Sequence, residues 1–305
     1  METKIKGVQM EKVRRSCGFT NGIEVDSIGS KGGLSLAWRG DVDVSLQSFS
    51  NRHIDVFIDD NSRSLKWRLT GFYGSPYMHD RDESWNLLRH LSNGVALPWL
   101  VIRDFNEILY GFEKRGGVPR EERRMEGFRK VLADCNLADV GYLGNWFTWE
   151  RGNLAETNIQ GRLDRGVAND DLFSIFPNYV IQHLPHSFSD HCPLFVLTDR
   201  EDSRIIRKEF KFEAWWIMKG DFFEVVRHCW ENTIGDLLVR LESLKTDLRK
   251  WAFQISHNRK FKKEELSMKL LTLLESERTD ENLIDLIDTK IQLNFEIEKD
   301  ECYWE

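Results

Sequence analysis

Apolar and polar residues alternate with a period of two along four segments in the first quarter of the chain. These segments are LSLAW, VDVSLQSF, HIDVFID and LKWRLTGFYG, and they follow one another at short intervals. Such alternation is typical of strands that bury one face, and Asp41, Asp60 and Asn61 favour turns between them. The pattern therefore predicts an antiparallel meander.

Two later segments have the three-and-four spacing of amphipathic helices, and they flank a short apolar run. Residues 80–92 and 125–135 are the predicted helices, and WLVI at residues 99–102 is a predicted buried strand. The apolar residues on the buried helix faces are Trp85, Leu88, Leu91, Phe128, Val131 and Leu132.

Strand patterns return from residue 136 in LADV, FTWE, RLDRGVAN, YVIQHL and PLFVLT. A predicted loop over residues 151–161 separates two of them. Two groups of strands with helices between and around them are typical of layered α/β (α+β) folds. The sequence therefore predicts a two-sheet α/β sandwich over residues 1–198.

Beyond residue 199 the apolar residues recur with helical spacing only. The series Leu241, Leu244, Leu248, Trp251 and Ile255 is one example. Thr279 or Asp280 is expected to cap a last helix that carries Leu283, Ile287 and Ile291. We therefore expect an α-helical extension over residues 199–305, which offers a helical surface to a protein partner.

Composition narrows the class of protein. The chain has 305 residues, 41% of them hydrophobic and 30% charged, with a formal net charge of −7. The negative net charge argues against a protein that coats nucleic acid through its overall charge. It is compatible with a local basic groove. The five cysteines include no CxxC pair, which argues against zinc or a disulfide framework. Without an apolar run near 18 residues, we expect an intracellular protein that does not span a membrane.

Polar side chains follow or precede several predicted strands. Asp104 and Asn106 come directly after the WLVI strand, and Tyr73 ends a strand shortly before Pro76. Asp190 and His191 precede the last apolar strand. Ligands of α/β proteins are held at strand ends, and carboxylates there are natural ligands for hard cations.

Each motif also has a structural alternative. Tyr73 could be a core tyrosine, WLVIRDFN a strand that runs into a polar turn, and RLDR a surface ion-pair stripe around Asp164. The SDH run is not a serine-hydrolase triad, because sequence neighbours cannot provide that geometry. The basic loop at residues 114–124, with Trp146 and Trp149, suits nucleic-acid contact or is a solvated loop beside core tryptophans.

As an ordered set, GGLSLAW, FYGSP, DFNEIL, FTW, RLDR and SDHCPL resemble the endonuclease/exonuclease/phosphatase superfamily, whose fold is deoxyribonuclease I-like. More narrowly, they are similar to the endonuclease domain of plant non-LTR (long interspersed) retrotransposons over residues 1–198. The helical remainder resembles the linker toward a reverse transcriptase. The resemblance implies hydrolysis of nucleic-acid phosphodiesters with magnesium (or manganese), on DNA rather than RNA, and a nuclear location if the substrate is DNA.

The resemblance also implies a role for each matching residue. Asp104 would activate or orient the attacking water, and Asn106 would position the nucleophile or the phosphate. His191 would stabilise charge on the phosphoryl oxygens, and Asp164 would orient the imidazole of His191. Tyr73 would donate its phenol to the scissile phosphate. Donors aimed at a developing oxyanion are usually worth about 100- to 1,000-fold each in rate.

In the same comparison, Glu2 in METK would hold the metal with help from Asp190. Two departures from the family pattern are expected to impair turnover. The chain starts after the family's first strand, and Arg103 stands where the family has glycine. Three functions therefore remain open: a nuclease, a catalytically silent remnant that acts as a binding or scaffold protein, and a phosphatase of the same fold.

Overall fold

The computed structural model describes residues 3–28, 31–40, 42–61, 63–94, 97–198, 212, 216–217 and 219–301. The described residues form a mixed α/β structure, which confirms the predicted fold class. The chain divides into two compact units, residues 1–200 and residues 201–305.

Four helices and thirteen strands are described in the first unit. The helices are α1 Gly7–Ser16, α2 Arg81–Ser92, α3 Glu122–Asp134 and α4 Asp170–Ile175. The strands are β1 Asn21–Ile28, β2 Lys31–Trp38, β3 Asp43–Ser50, β4 His53–Asp60, β5 Leu65–Phe72, β6 Trp99–Asp104, β7 Lys114–Arg115, β8 Ala138–Asp139, β9 Trp149–Arg151, β10 Ile159–Gly161, β11 Asp164–Ala168, β12 Val180–His183 and β13 Leu194–Leu197.

The largest sheet has six strands in the order β3-β4-β5-β6-β11-β8. Strands β3, β4 and β5 form an antiparallel meander, whereas β5 and β6 are parallel. Helix α2 lies between β5 and β6 in the chain, as a parallel connection requires. Strand β11 pairs antiparallel with β6, which places the predicted WLVI strand at the centre.

The two faces of this sheet are covered by different layers. On one face, Trp85 of α2 and Phe128 of α3 pack against Val101 of β6. On the other face, Leu34 of β2 packs with Ile54 of β4, and α4 and β13 complete the cover. The second sheet of the predicted sandwich is divided into three: β1-β2, β7-β10-β9 and β12-β13.

The strands differ from the prediction in three respects. The LSLAW segment, β2, pairs with β1 and not with β3, so it is not part of the meander. Strand β1 was not predicted, although Ile23 and Val25 alternate with Glu24 and Asp26 along it. The predicted loop over residues 151–161 is shorter than expected, because its last residues form β10 and pair with β9.

The second unit consists of helices in its described part: α5 Phe222–Asn232, α6 Leu237–Glu275 and α7 Asp280–Glu301. The predicted cap is present, since Thr279 Oγ1 accepts a hydrogen bond from the backbone N–H of Asn282 at 3.2 Å. Trp251 is buried, whereas Leu241 and Ile291 are exposed on helix faces that no other helix of the described residues covers. Within the described residues, no helix combines the length and the apolar composition needed to cross a membrane.

Candidate active site

Two carboxylates face each other across neighbouring strands of the six-stranded sheet. Asp104 ends β6 and is the register partner of Asp164, with which β11 begins. Both residues are buried, with exposed fractions of 7% and 2%. Because like charges directly opposite one another destabilise a sheet, such a pair is a candidate for a functional role.

Asn106 holds the carboxylate of Asp104 from two directions. Its backbone N–H donates to Asp104 Oδ1 at 2.8 Å, and its Nδ2 donates to Asp104 Oδ2 at 2.7 Å and to Gly74 O at 2.9 Å. Asn106 adopts a φ of +54°, a left-handed conformation that asparagine tolerates. Burial raises the pKa of Asp104 to about 7 and Asp164 adds to the rise, while His191 and Asn106 oppose it.

His191 connects the two carboxylates. Its Nδ1 lies 2.8 Å from Asp164 Oδ2, and its Nε2 lies 3.9 Å from Asp104 Oδ2. Thr148 Oγ1 accepts the backbone N–H of Asp164 at 2.9 Å and fixes the start of β11. Burial alone would lower the pKa of His191, but the hydrogen bond to Asp164 and the carboxylates of Asp164, Asp104 and Asp190 raise it to about 9.

Tyr73 follows β5, and backbone hydrogen bonds of Tyr73 and Gly74 hold this segment against the end of β6 that carries Asp104. Its N–H donates to Arg52 O, and the N–H of Gly74 donates to Asp104 O, both at 2.8 Å. A Cβ on Gly74 would lie 2.2 Å from Phe105 O, so only glycine lets these two segments approach. The close approach places Tyr73 beside Asp104.

Asp190 lies beside Trp149 rather than in the pair of facing carboxylates. Its Oδ2 accepts the indole N–H of Trp149 at 3.2 Å, and its backbone carbonyl accepts the N–H of Glu150 at 3.0 Å. Trp149 and Trp146 are half-buried, so neither is a fully enclosed core residue. Glu2, the other predicted metal ligand, lies outside the described residues.

One cavity of about 780 Å³ collects the described site residues. The predicted residues that line it are Tyr73, Asp104, Asn106, Asp164, Asp190 and His191. They come from the ends of β5, β6 and β11 and from the turn before β13. The structure thus brings together every predicted site residue that it describes.

The arginines of RLDR are not a surface stripe, which corrects one of the two interpretations of that motif. Arg162 and Arg165 are buried, with exposed fractions of 6% and 1%. Both form ion pairs with Glu113 and Asp139, at distances of 2.8–3.2 Å. Since Asp164 bonds to His191, the aspartate and its flanking arginines serve different parts of the structure.

A second buried carboxylate, Glu107, was not predicted to matter. It is 1% exposed and forms ion pairs with Arg81, Arg120 and Arg124. Burial raises the pKa of the Glu107 carboxyl, and Arg120 opposes that rise. The glutamate follows DFN directly, but nothing in the local pattern indicates three arginines as its partners.

Arg103 has a backbone conformation that explains why glycine would be suited to this position. Its φ is +127°, in a region that side chains rarely adopt. The side chain lines the cavity; burial lowers the pKa of its guanidinium, and Asp164 and Asp104 oppose that effect. Arg103 therefore adds both backbone strain and a positive charge beside the facing carboxylates.

We expect Arg103→Gly to raise the free energy of unfolding by about 1 kcal/mol, because relief of roughly 1–3 kcal/mol of strain exceeds the entropic cost of glycine. Arg103→Ala is the matched control, since it removes the guanidinium and keeps the strain. Urea unfolding of both variants measures the difference. Equal stability of the glycine and alanine variants would contradict the assignment of strain.

The site offers ligands for a hard divalent cation. Asp104, Asp164 and His191 each present one ligand atom, and these atoms lie within 4.8 Å of one another. Carboxylate oxygens are the ligands that magnesium and manganese prefer, so the aspartates fit such an ion. His191 fits less well, because an imidazole nitrogen is a softer ligand than the oxygens that these ions prefer. Asp190 lines the same cavity and can add a further carboxylate.

No protein-family model matches the chain, and no curated protein matches it. Among solved structures, the chain is similar to the endonuclease domain of TRAS1, a telomere-specific non-LTR retrotransposon, at 16% identity and a TM-score of 0.45. That alignment covers 60% of this chain and 81% of the TRAS1 domain.

Two further similar structures are a phosphatase and a catalytic domain. The mannosyl-6-phosphatase Bt3783 of Bacteroides thetaiotaomicron is 15% identical with a TM-score of 0.39, and the alignment covers 63% of this chain and 80% of Bt3783. The human Nocturnin catalytic domain is 11% identical with a TM-score of 0.37, covering 62% and 76%. Such neighbours are endonuclease/exonuclease/phosphatase-family proteins, the family that the sequence motifs resemble.

Proposed function

We propose that this chain hydrolyses phosphodiester bonds of nucleic acid, as an endonuclease of the retrotransposon type, in the cavity that Asp104 and His191 share. One observation carries the proposal. His191 is hydrogen-bonded to Asp164 through Nδ1 and directs Nε2 toward the carboxylate of Asp104. A base or acid held by a third group in this manner is typical of hydrolytic sites.

His191 and Asp164 act together on the phosphoryl group. The carboxylate of Asp164 holds the ring in its orientation and favours its protonated form. At 3.9 Å, Nε2 and Asp104 Oδ2 are too far apart for a hydrogen bond with each other. A phosphoryl oxygen on the His191 side of that gap can accept a hydrogen bond from Nε2–H, which then stabilises the charge that develops on that oxygen.

Asp104 is the group that accepts a proton from, or orients, the attacking water. Asn106 uses its backbone N–H and both side-chain N–H protons to hold Asp104 and Gly74. Asn106 is therefore a positioning residue for Asp104. Tyr73, which follows the neighbouring strand β5, supplies its phenol to the phosphate.

A divalent cation, magnesium or manganese, would be held by Asp190 and Asp104, which line one cavity, and by Glu2, as the sequence resemblance implies. When bound, it would neutralise charge on the phosphoryl oxygens and polarise water. We infer that the substrate is DNA rather than RNA. If the protein acts on DNA, we infer that it is located in the nucleus. We also infer that residues 1–198 are the catalytic domain, and residues 199–305 a helical extension that binds a protein partner.

The test is nicking of supercoiled plasmid by the purified chain, with magnesium and with EDTA. We expect conversion to the open circular form with magnesium and none with EDTA, because the facing carboxylates need a counter-charge before a phosphate can approach. Folded protein that leaves the plasmid intact in magnesium and in manganese would overturn the proposal.

Arg103 favours a second candidate function, a catalytically silent nucleic-acid-binding or scaffold protein. Its guanidinium interacts with both Asp164 and Asp104, where it competes with a cation for the two carboxylates. Nicking that appears only in Arg103→Gly would support this second function for the natural chain.

A further inference from the structure

The cavity is rich in positive charge although the whole chain carries a formal charge of −7. Its lining includes five cationic side chains: Lys4, Arg81, Arg103, Lys114 and Arg120. The cavity carboxylates Asp104, Asp164 and Asp190 are fewer. Local charge of this kind in a concave site concentrates anions there and outweighs the sign of the net charge.

Two of these cations contact the backbone carbonyl of Asn106. Arg81 and Arg120 place guanidinium N–H groups 3.1 Å and 3.4 Å from Asn106 O. Both also pair with Glu107, which Arg124 shares as well. A single carboxylate cannot neutralise three guanidinium groups, so this cluster keeps a positive excess at the edge of the cavity.

Lys114 adds a further cation and is held in place by its own loop. Its Nζ donates to Gly116 O and, at 2.7 Å, to Val118 O, which uses two of its three protons. Gly116 and Gly117 have φ values of +75° and +58°, which let the loop fold around the ammonium group. The carbonyls therefore fix Lys114 without neutralising it.

Lys114 and Arg120 influence one another as like charges. Burial lowers the pKa of Lys114, and the guanidinium of Arg120 lowers it further. Among the described residues, no ion pair with a carboxylate occurs at Lys114 at 4.0 Å or less. Lys114 and Arg120 line the same cavity, and two cations in such a site are stabilised by an anion that bridges them.

We propose that Lys114 and Arg120 form a second anion subsite, which binds the phosphate adjacent to the scissile phosphate of a polynucleotide. Arg81 is buried and donates to Glu107 and to the carbonyl oxygens of Ser75 and Asn106, so it adds positive charge behind the subsite without contacting the phosphate. The subsite deepens the proposed function and rests on it for the identity of the anion. A cavity of about 780 Å³ has the size of a pocket for a whole small ligand, so it holds more than one phosphate group. The subsite therefore selects a polynucleotide over an isolated phosphomonoester.

The salt dependence of binding tests this subsite without any need for cleavage. The affinity for a short fluorescein-labelled DNA duplex is measured by anisotropy in EDTA over a series of salt concentrations. Log affinity falls as log salt rises, and each lost phosphate contact reduces the magnitude of that slope by about 0.9. We expect that loss in Lys114→Gln and in Arg120→Gln, and no change in Lys130→Gln, an exposed lysine of α3.

The outcomes separate the two proposals. An unchanged slope in folded Lys114→Gln, or no duplex binding by the wild-type chain, would overturn the subsite whatever the plasmid assay shows. A reduced slope together with an intact plasmid would support the subsite and refute the nuclease function. Arg120 pairs with buried Glu107, so the thermal unfolding of Arg120→Gln is first compared with that of the wild type. If Arg120→Gln does not fold, the slope of Lys114→Gln alone decides whether the subsite exists.

Discussion

Replacing His191 by alanine is expected to lower the rate of DNA nicking by about 100- to 1,000-fold, with little change in thermal stability. The ring is the donor that faces the phosphoryl oxygens, and loss of one such donor in a preorganised site has an effect of this size. Single-turnover nicking rates at saturating magnesium measure it. His79→Ala is the control, because His79 is an exposed histidine of the same unit that does not line the cavity.

The hydrogen bond between His191 and Asp164 makes this prediction more specific. If Asp164 acts only through the ring, Asp164→Asn should slow nicking, and the double variant should be little slower than His191→Ala alone. Residues that act as one unit show such non-additivity. A loss below tenfold in His191→Ala, or fully additive losses, would contradict the roles assigned to the pair.

Glu113→Gln is expected to lower the free energy of unfolding by about 3–5 kcal/mol. The substitution keeps the volume but removes the negative charge that Arg162 and Arg165 share. Both arginines are buried, and only Asp139 then remains to compensate them. A buried charge that loses its partner has a penalty of this order.

Urea unfolding measures this effect, and Glu122→Gln is its matched control. Glu122 also pairs with an arginine, Arg129, but its side chain is 71% exposed. Exposed ion pairs contribute about 0–1 kcal/mol, so we expect the control to differ little from the wild type. Similar losses in the two variants would show that the buried network does not stabilise the first unit.

The elements that the sequence predicts well are those with a strong local pattern. Helix α2 begins and ends within one residue of the predicted range, since Trp85, Leu88 and Leu91 repeat with helical spacing. Strand β6 lies where an apolar run follows a proline. Short elements such as α4 and β7 have too few residues for a period to show. Strand β7 also depends on its pairing with β10, which lies far along the chain.

The positions of the candidate site residues were predictable because each is tied to a strand end. Asp104 and Asp164 meet through the register of β6 and β11, and His191 joins them from the turn before β13. That register is not encoded in either motif alone. The ordered resemblance to a known family supplied the expectation that these residues meet.

The ion networks beneath the site were beyond sequence reasoning. Glu107 pairs with arginines 13 to 26 residues away in the chain, and Arg165 pairs with Glu113 at a separation of 52 residues. No periodic pattern reports contacts between such distant charged residues. A buried arginine and an exposed one look the same in a sequence, so the RLDR arginines could not be placed.

The RLDR motif is under two separate constraints, and they would respond differently to mutational drift. A chain released from any need to cleave must still keep Arg162 and Arg165, because they neutralise buried acids. It would gain stability by losing either Asp104 or Asp164, since these carboxylates oppose one another across the ladder. Drift should therefore erase the facing aspartates before the arginines.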